Sequence, residues 1–395
     1  MMETNISCLE LFSGAGGLAQ GLDDAGFTHI GFVELNKQAC TTLKKNYDKM
    51  LVRNVDIRSV KFSEFGQVEL IAGGPPCQPF SLGGKHKGNL DKRDLFPVAI
   101  KAIQATLPKA FVFENVKGLL RKSFSTYFEY IILRLTYPEL VRKEGEDWRD
   151  HLAALEKTHT SGIYNGIKYN VIFRLINSAN YGIPQIRERV IIVGIRSDLN
   201  TKWSFPKETH SLDSLLWSQF VTGEYWEKHS ISAISSQGFP PQLRKRAEDL
   251  RAIYGFIPPS KEPWQTIRDA IGYLPFPDAQ GTYHPEHVLR LGAKMYPGHT
   301  GSYIDLPSKA IKAGVHGVPG GENMIRYHDD SVRYFTTFEA KKIQTFPDNY
   351  AITGSWTESM RQIGNAVPVR LGEIIGKKLI SDVWAKIAHL DPQLV

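Results

Sequence analysis

Short apolar runs closed by glycine or by a carboxylate recur through the first half of the chain, at residues 6–12, 29–34, 68–72 and 111–116. They are continuous rather than alternating, the pattern of strands buried on both faces of a parallel sheet. A shorter run at 51–57 and further strands at 169–177 and 190–195 extend the series. Between them, apolar positions recur at helical spacing. Leu18, Leu22 and Ala25 follow the first run, and Leu95, Val98, Ala102 and Leu107 mark a helix over 94–107. Residues 148–157 read as an amphipathic helix, and 121–168 as a whole reads as a helix followed by a surface insertion. Strands alternating with helices predict an α/β fold that opens on a Rossmann-like unit.

From about residue 203 the periodicity fades, and Pro, Gly, Ser, Tyr and His become frequent. Residues 242–254 form the clearest helix there, while 275–277, 296–302 and 314–321 read as loops. This stretch has the size of a second domain, roughly 130 residues. Helical order returns over 333–348. Thr336 and Glu339 have the spacing of a capping box, and Phe346-Pro347-Asp348 stops the helix. Residues 362–368 then precede a helix over 369–388.

Composition narrows the classes. Hydrophobic residues at 42% and charged residues at 23% are ordinary for a globular protein. No apolar run is long enough to cross a bilayer, and residues 1–5 carry no signal-peptide pattern, so a cytoplasmic location is expected. The cysteines Cys8, Cys40 and Cys77 are widely spaced, with no CxxC and no zinc spacing. Free thiols and no metal are therefore expected. A net charge of +7 favours a polyanionic partner without specifying one.

The candidate chemistry centres on Gly73-Gly74-Pro75-Pro76-Cys77-Gln78-Pro79-Phe80-Ser81. A cysteine on a proline-stiffened turn at a strand's carboxyl end is a candidate nucleophile; a tight surface turn with an incidental thiol is the bland alternative. Ser13-Gly14-Ala15-Gly16-Gly17 lets a ligand approach the backbone ahead of a helix N-terminus, although Ala19 breaks the full dinucleotide fingerprint. Glu34, 20 residues after Gly14, has the spacing of a ribose-binding acid. Asp56 falls at the same sheet edge; singly, both acids also read as solvated strand ends. Residues 82–93, rich in glycine and lysine, are either an exposed loop or a mobile lid. Glu114 ends an apolar strand, where burial would raise its pKa and make it a proton donor, or a salt bridge would make it structural. Gln185, Arg187 and Arg189 alternate, so that one strand face would carry an amide and two guanidiniums. Arg268, Tyr273, Tyr283, Arg290, Lys294, Tyr296, Arg326 and Arg333 interleave charge with aromatic rings, as a DNA-reading surface would.

The order of these motifs resembles that of the DNA cytosine-5 methyltransferases of bacterial restriction–modification type. The resemblance rests on Phe12-Ser-Gly-Ala-Gly-Gly17, Glu34, Asn54-Val-Asp56, Gly74-Pro-Pro-Cys-Gln-Pro79, Phe113-Glu-Asn-Val116 and Gln185-Ile-Arg187-Glu-Arg189. Arg333 with Glu339, Phe346-Pro-Asp348 and Gln362-Ile-Gly-Asn-Ala-Val367 complete it. It covers the chain except 121–168 and most of 203–330.

The resemblance implies a Rossmann-like S-adenosyl-L-methionine-dependent methyltransferase fold, with a mixed, mostly parallel sheet and helices on both faces. It also implies a smaller target-recognition domain at 203–332, between a catalytic domain at 1–202 and a segment at 333–395 that returns to it. By the same resemblance Cys77 adds to cytosine C6, Glu114 holds N3 and the exocyclic amine, Arg189 holds the base and Arg187 orders the site or contacts substrate. Phe12, the turn Ser13, Gly14, Ala15, Gly16 and Gly17, Glu34, Asp56, Ile57, Pro76, Leu95, Asn365 and Val367 match cofactor positions. Leu35 departs from the family, some members of which have an aromatic residue there. The implied partners are double-stranded DNA, with its target base flipped out, and a cognate restriction endonuclease acting on the same site; the protein is expected to be a monomer in the bacterial cytoplasm at the nucleoid. An RNA (tRNA) cytosine-5 methyltransferase and a catalytically silent DNA-binding protein are the competing readings. The base that removes the C5 proton is not identified, water included.

Overall fold

A computed structural model describes residues 6–76, 94–233, 239–313 and 323–390. By packing, the chain forms two compact units, one of residues 1–176, 188–206 and 372–395, the other of 177–187 and 207–371.

The first unit is built on a seven-stranded sheet. Its strands are β1 (Ile6–Leu11), β2 (Phe27–Glu34), β3 (Val52–Asn54), β4 (Leu70–Gly73), β5 (Ala110–Val116), β6 (Tyr169–Asn177) and, beyond the two-residue β7 (Gln185–Ile186) of the other unit, β8 (Glu188–Arg196). The order across the sheet is β3-β2-β1-β4-β5-β8-β6. Pairs among β1 to β5 are parallel, and β5 pairs with β8 antiparallel. The sheet is thus mixed and mostly parallel, as expected. The order reverses between β1 and β4, and the carboxyl ends of strands at such a point open a ligand crevice.

Helices α1 (Gly17–Ala25), α2 (Lys37–Asn46), α3 (Phe96–Thr106), α4 (Ser125–Thr136) and α5 (Trp148–Ser161) fill the connections. Two of them escape the apolar spacing. In α2 the buried stripe is only Ala39, Cys40, Thr42 and Leu43, and the usable signal is the cap, where Asn36 Oδ1 accepts from Ala39 N. Helix α4 corrects the surface-insertion reading. It buries Tyr127, Phe128, Tyr130, Ile131, Leu133 and Leu135 in the same core as Phe111 and Phe113. A helix apolar on nearly all sides has no amphipathic period to detect.

The C-terminal chain rejoins this unit from Gly372. Trp384 stacks edge-on against Phe27 at 5.2 Å and donates to Glu69 Oε2, which Lys109 also reaches at 2.7 Å.

In the second unit, β9 (His210–Ser211), β10 (Glu262–Pro263), β11 (Ser302–Tyr303), β12 (Ser308–Lys309), β13 (Met324–Arg326) and β14 (Val332–Tyr334) form small sheets. Helices α6 (Leu212–Phe220), α7 (Glu224–Lys228), α8 (Pro241–Tyr254), α9 (Ile267–Ile271), α10 (Thr337–Ile343) and α11 (Trp356–Asn365) lie among them. The predicted capping box on α10 is present in both directions, Glu339 N to Thr336 Oγ1 and Thr336 N to Glu339 Oε2. Helix α12 (Val369–Leu379) starts in this unit and ends in the first; a π-helical turn at Ile380–Trp384 and α13 (Ala385–Leu390) continue it.

Residues 333–371 pack with the second unit because α10 is bonded into the preceding loop. His287 Nδ1 lies 3.0 Å from Thr336 Oγ1, and Lys341 pairs with Glu286 at 2.6 Å. The packing boundary therefore falls at 371/372, whereas the motif order draws it at 332/333.

The polar centre of the second unit is Asp305, whose side chain is 0% exposed. It accepts from Arg268 Nε at 2.5 Å, His328 Nε2 at 2.5 Å and Tyr225 Oη at 2.7 Å. Burial opposes its charge, but Arg268 and His328 outweigh burial and hold the carboxyl below the usual range. That stabilisation is complete above the unfolded pKa of about 3.9 and is lost as pH falls through the lower folded value. Asp305→Ala is expected to cost about 3 kcal/mol, because it leaves the Arg268 guanidinium, 19% exposed, without its carboxylate. Urea unfolding of the full chain would register this as a lower midpoint, and an unchanged midpoint would refute it.

Among the described residues, no helix is long and apolar enough to cross a membrane, and no group of three or more His, Cys, Asp or Glu could hold a metal ion.

Candidate active site

At the carboxyl end of β1 the chain turns sharply. Phe12 has a φ of 56°, and its N–H donates to the Val33 carbonyl at 2.8 Å. Ser13 Oγ donates to the Glu10 carbonyl at 3.0 Å, and Gly16, at a φ of 81°, caps α1. Glu34 grips this turn from β2. Its Oε2 accepts from Gly14 N at 2.8 Å and its Oε1 from Asn36 N at 2.7 Å. Each oxygen keeps a further lone pair for hydroxyl donors. A Cβ built on Gly14 would meet nothing within 4 Å, so the turn borders open space. An open glycine turn, a strand-end carboxylate and a helix N-terminus together fit a nucleoside-containing ligand.

The second turn follows β4. Gly73 pairs with Leu11 of β1, and a Cβ on Gly73 would lie 2.1 Å from the Leu11 carbonyl oxygen, so only glycine fits. The next residues pass over β5, where Gly74 comes within 3.4 Å of Glu114 Oε2, measured from an added Cβ. Asn115 Nδ2 donates to the Pro75 carbonyl at 2.9 Å and fixes the turn. Cys77 and residues 82–93 lie outside the described residues, as does the expected loop at 314–321. The described chain resumes at Asp94, and Leu95 N donates to the Pro76 carbonyl at 3.2 Å.

Glu114 and Arg189 form the charged pair of this edge. Arg189 Nε reaches Glu114 Oε1 at 2.7 Å, with the side chains 17% and 13% exposed respectively. Arg189 Nη1 also donates to the Glu188 carbonyl. The antiparallel register, Val116 opposite Arg189, brings the two together although 75 positions separate Glu114 from Arg189 in sequence. Glu114 therefore presents Oε2 on the side of the Gly73–Pro76 turn while Oε1 is held. Such a site can hydrogen-bond a planar heterocycle and balance charge that develops on it.

A family model for the C-5 cytosine-specific DNA methylase matches residues 6–137 and 162–381. The chain belongs to that family. It is accordingly a DNA (cytosine-5-)-methyltransferase, with S-adenosyl-L-methionine as methyl donor. The internal unmatched stretch is 138–161, narrower than the insertion expected at 121–168, since α4 belongs to the shared core. Among relatives, the Type II methyltransferase M.PspPI of Psychrobacter sp. (strain TA137) is 35% identical over 386 residues, spanning 95% of this chain and 79% of that protein. The Type II methyltransferase M.Eco47II of Escherichia coli is 30% identical over 388 residues, spanning 96% and 81%. The crystal structure of the S. pombe Dnmt2 methyltransferase covers 95% of this chain and 99% of its own, with a TM-score of 0.55 and 18% identity, a likeness of fold.

The remaining residues singled out in the sequence divide between the two units. Asp56 caps a short 3₁₀ turn, and its carboxylate is held by Arg58 at 2.6 Å; that hydrogen bond lowers its pKa to about 2. Ile57 is buried in the core beside it, while Leu35 is 65% exposed. Asn365, exposed at the end of α11, and Val367 lie in the second unit. So does Arg187, which does not share a strand face with Arg189. It is 1% exposed, and its Nη1 and Nη2 donate to the carbonyls of Ile311 and Gly364. The break between β7 and β8 falls at Arg187, so the alternation expected from sequence does not continue through it.

Sequence reasoning passed over Asn115 as a working residue; its signal was its place between Glu114 and the strand end. Asn115→Ala would free the Pro75 carbonyl at a cost of about 1–3 kcal/mol. Methyl transfer is expected to slow by about tenfold, each 1.4 kcal/mol being a decade, while cofactor affinity stays unchanged. Wild-type turnover in steady-state kinetics would show that the turn needs no such tie.

Proposed function

We propose that this methyltransferase acts on a flipped-out cytosine within a short, specific duplex DNA sequence, through a covalent Cys77–C6 intermediate, and that it protects host DNA in a restriction–modification system. The observation that carries the site assignment is the Glu114–Arg189 pair beside the turn that leads into Cys77. The Type II methyltransferases it resembles over nearly the whole of this chain, and over 79% and 81% of their own length, support the biological role.

In this reading the Cys77 thiolate adds to C6, and Glu114 hydrogen-bonds N3 and the exocyclic amine as electron density shifts into the ring. Arg189 holds Glu114 and balances the negative charge that develops on the base. Arg187 orders the chain at the start of β8. After C5 is methylated its proton leaves and the thiol is eliminated, restoring the aromatic ring. S-adenosyl-L-methionine supplies an electrophilic methyl group. Phe12, the 13–17 turn, Glu34, Asp56, Ile57, Pro76, Leu95, Asn365 and Val367 would hold it. Residues 203–332 would read the DNA, with 1–202 and 333–395 serving catalysis. Unstacking the target base costs a few kcal/mol, and phosphate contacts make affinity fall with salt. A cognate endonuclease acting on the same site, a monomeric state and a place at the nucleoid in the cytoplasm complete the proposal.

The test is expression in a host that lacks cytosine methylation, followed by bisulfite sequencing of its DNA and RNA. Methylation at one short DNA motif is the expected result. Methylation confined to RNA, or none in the presence of folded protein, would overturn it.

A further inference from the structure

Beneath the glycine turn lies a buried polar cluster that the chemistry above does not use. His29 of β2 places Nδ1 2.6 Å from Asp23 Oδ1 and Nε2 3.2 Å from Glu10 Oε2. Glu10 belongs to β1 and is almost fully buried, as is His29. Asp23 lies in the last turn of α1, and Glu10 also accepts the N–H of Ala19 in the first turn. The backbone carbonyl of Glu10 meanwhile holds Ser13 Oγ. One residue of β1 thus anchors both the start of the glycine turn and the start of the helix that follows it. A ring whose two nitrogens both face carboxylate oxygens can donate to both only when doubly protonated.

We infer that His29 is a positioning residue for the cofactor: it ties Glu10 to Asp23 and so holds both ends of α1 against the sheet, which sets the glycine turn that receives S-adenosyl-L-methionine. This rests on the cofactor assignment above. The titratable groups against the ring are Cys8 and Glu10 from β1, Asp23 from α1 and Tyr47 after α2, while Phe32 stacks on its face at 4.8 Å. Burial opposes a charged ring, but its hydrogen bonds to Asp23 and Glu10 hold the imidazole above its usual range, while burial also pushes the Glu10 carboxyl and the Cys8 thiol up. A raised pKa gives a contribution that is complete below the unfolded value of about 6.5 and lost as pH rises through the folded one. In the folded protein, loss of the second ring proton removes one of the two donations, so cofactor affinity should hold through neutral pH and decline on the alkaline side.

The experiment is calorimetric titration of S-adenosyl-L-methionine into the full chain without DNA, across pH, with thermal unfolding as a check on folding. In His29→Gln the amide reaches only one carboxylate. Its affinity at neutral pH should be roughly tenfold weaker, the scale of one hydrogen bond to a charged group, and flat with pH. In Glu10→Gln the carboxamide still accepts from Ala19 and donates to a neutral imidazole. Its affinity at neutral pH should fall less than that of His29→Gln, and the alkaline decline should disappear. A folded His29→Gln protein with wild-type affinity and pH profile would overturn the inference. If His29→Gln fails to fold, an unchanged alkaline decline in Glu10→Gln overturns it instead. Failure of the wild type to bind would refute the cofactor assignment itself.

Discussion

Replacing Cys77 by alanine is expected to abolish methyl transfer, with a rate loss on the order of 10⁴ to 10⁶, as when an enzyme loses its nucleophile. Cytosine C5 is a poor nucleophile in the aromatic ring. Only after a thiolate adds at C6 does C5 acquire enamine character, so no other group in the edge described above can substitute for the thiol. Glu114 and Arg189 are already paired with each other, and neither can supply a carbon–sulfur bond. The variant should still bind duplex DNA. Two measurements separate the chemistry from folding: methyl incorporation into the bisulfite-mapped site, and covalent capture of a duplex with 5-fluorocytosine at that site. Wild type should form a stable adduct there, because fluorine cannot leave C5 as a proton does. An active Cys77→Ala enzyme would eliminate the covalent route.

Glu114→Gln should lower single-turnover methyl transfer by about 10² to 10⁴, the range for a positioned acid–base group. The amide has almost the shape of the carboxyl, and its oxygen can still accept from Arg189 Nε, now 2.7 Å from Oε1. What changes is charge and the donor–acceptor pattern offered to the base. The uncharged amide leaves Arg189 without its counter-ion in a site where both side chains are mostly shielded. Affinity for S-adenosyl-L-methionine should not move, since Glu34 and the 13–17 turn carry no contact to Glu114 among the bonds described. Single-turnover rates within twofold of wild type would remove Glu114 from the mechanism.

Both variants concern residues that were legible in the sequence, and the reason is local. Cys77 follows a Gly-Gly-Pro-Pro turn, and Glu114 ends an apolar strand, so strand end and chemistry are adjacent in the chain. The glycine turn, Glu34 and the capping box at Thr336 and Glu339 were readable on the same grounds, because spacing alone defines them. Helix α4 was not, since a helix buried on nearly all sides leaves no period.

What the sequence by itself determined was the order of strands and turns, the family and the residue types at the sheet edge. Only the tertiary structure decided their partners. Glu34 accepts from Gly14, 20 positions away, and Arg189 pairs with Glu114 while Arg187 is committed to the carbonyls of Ile311 and Gly364. Hydrogen bonds between distant residues depend on strand register and on where the chain breaks between β7 and β8. Neither is encoded in local spacing, because burial and register are settled only when the whole sheet packs.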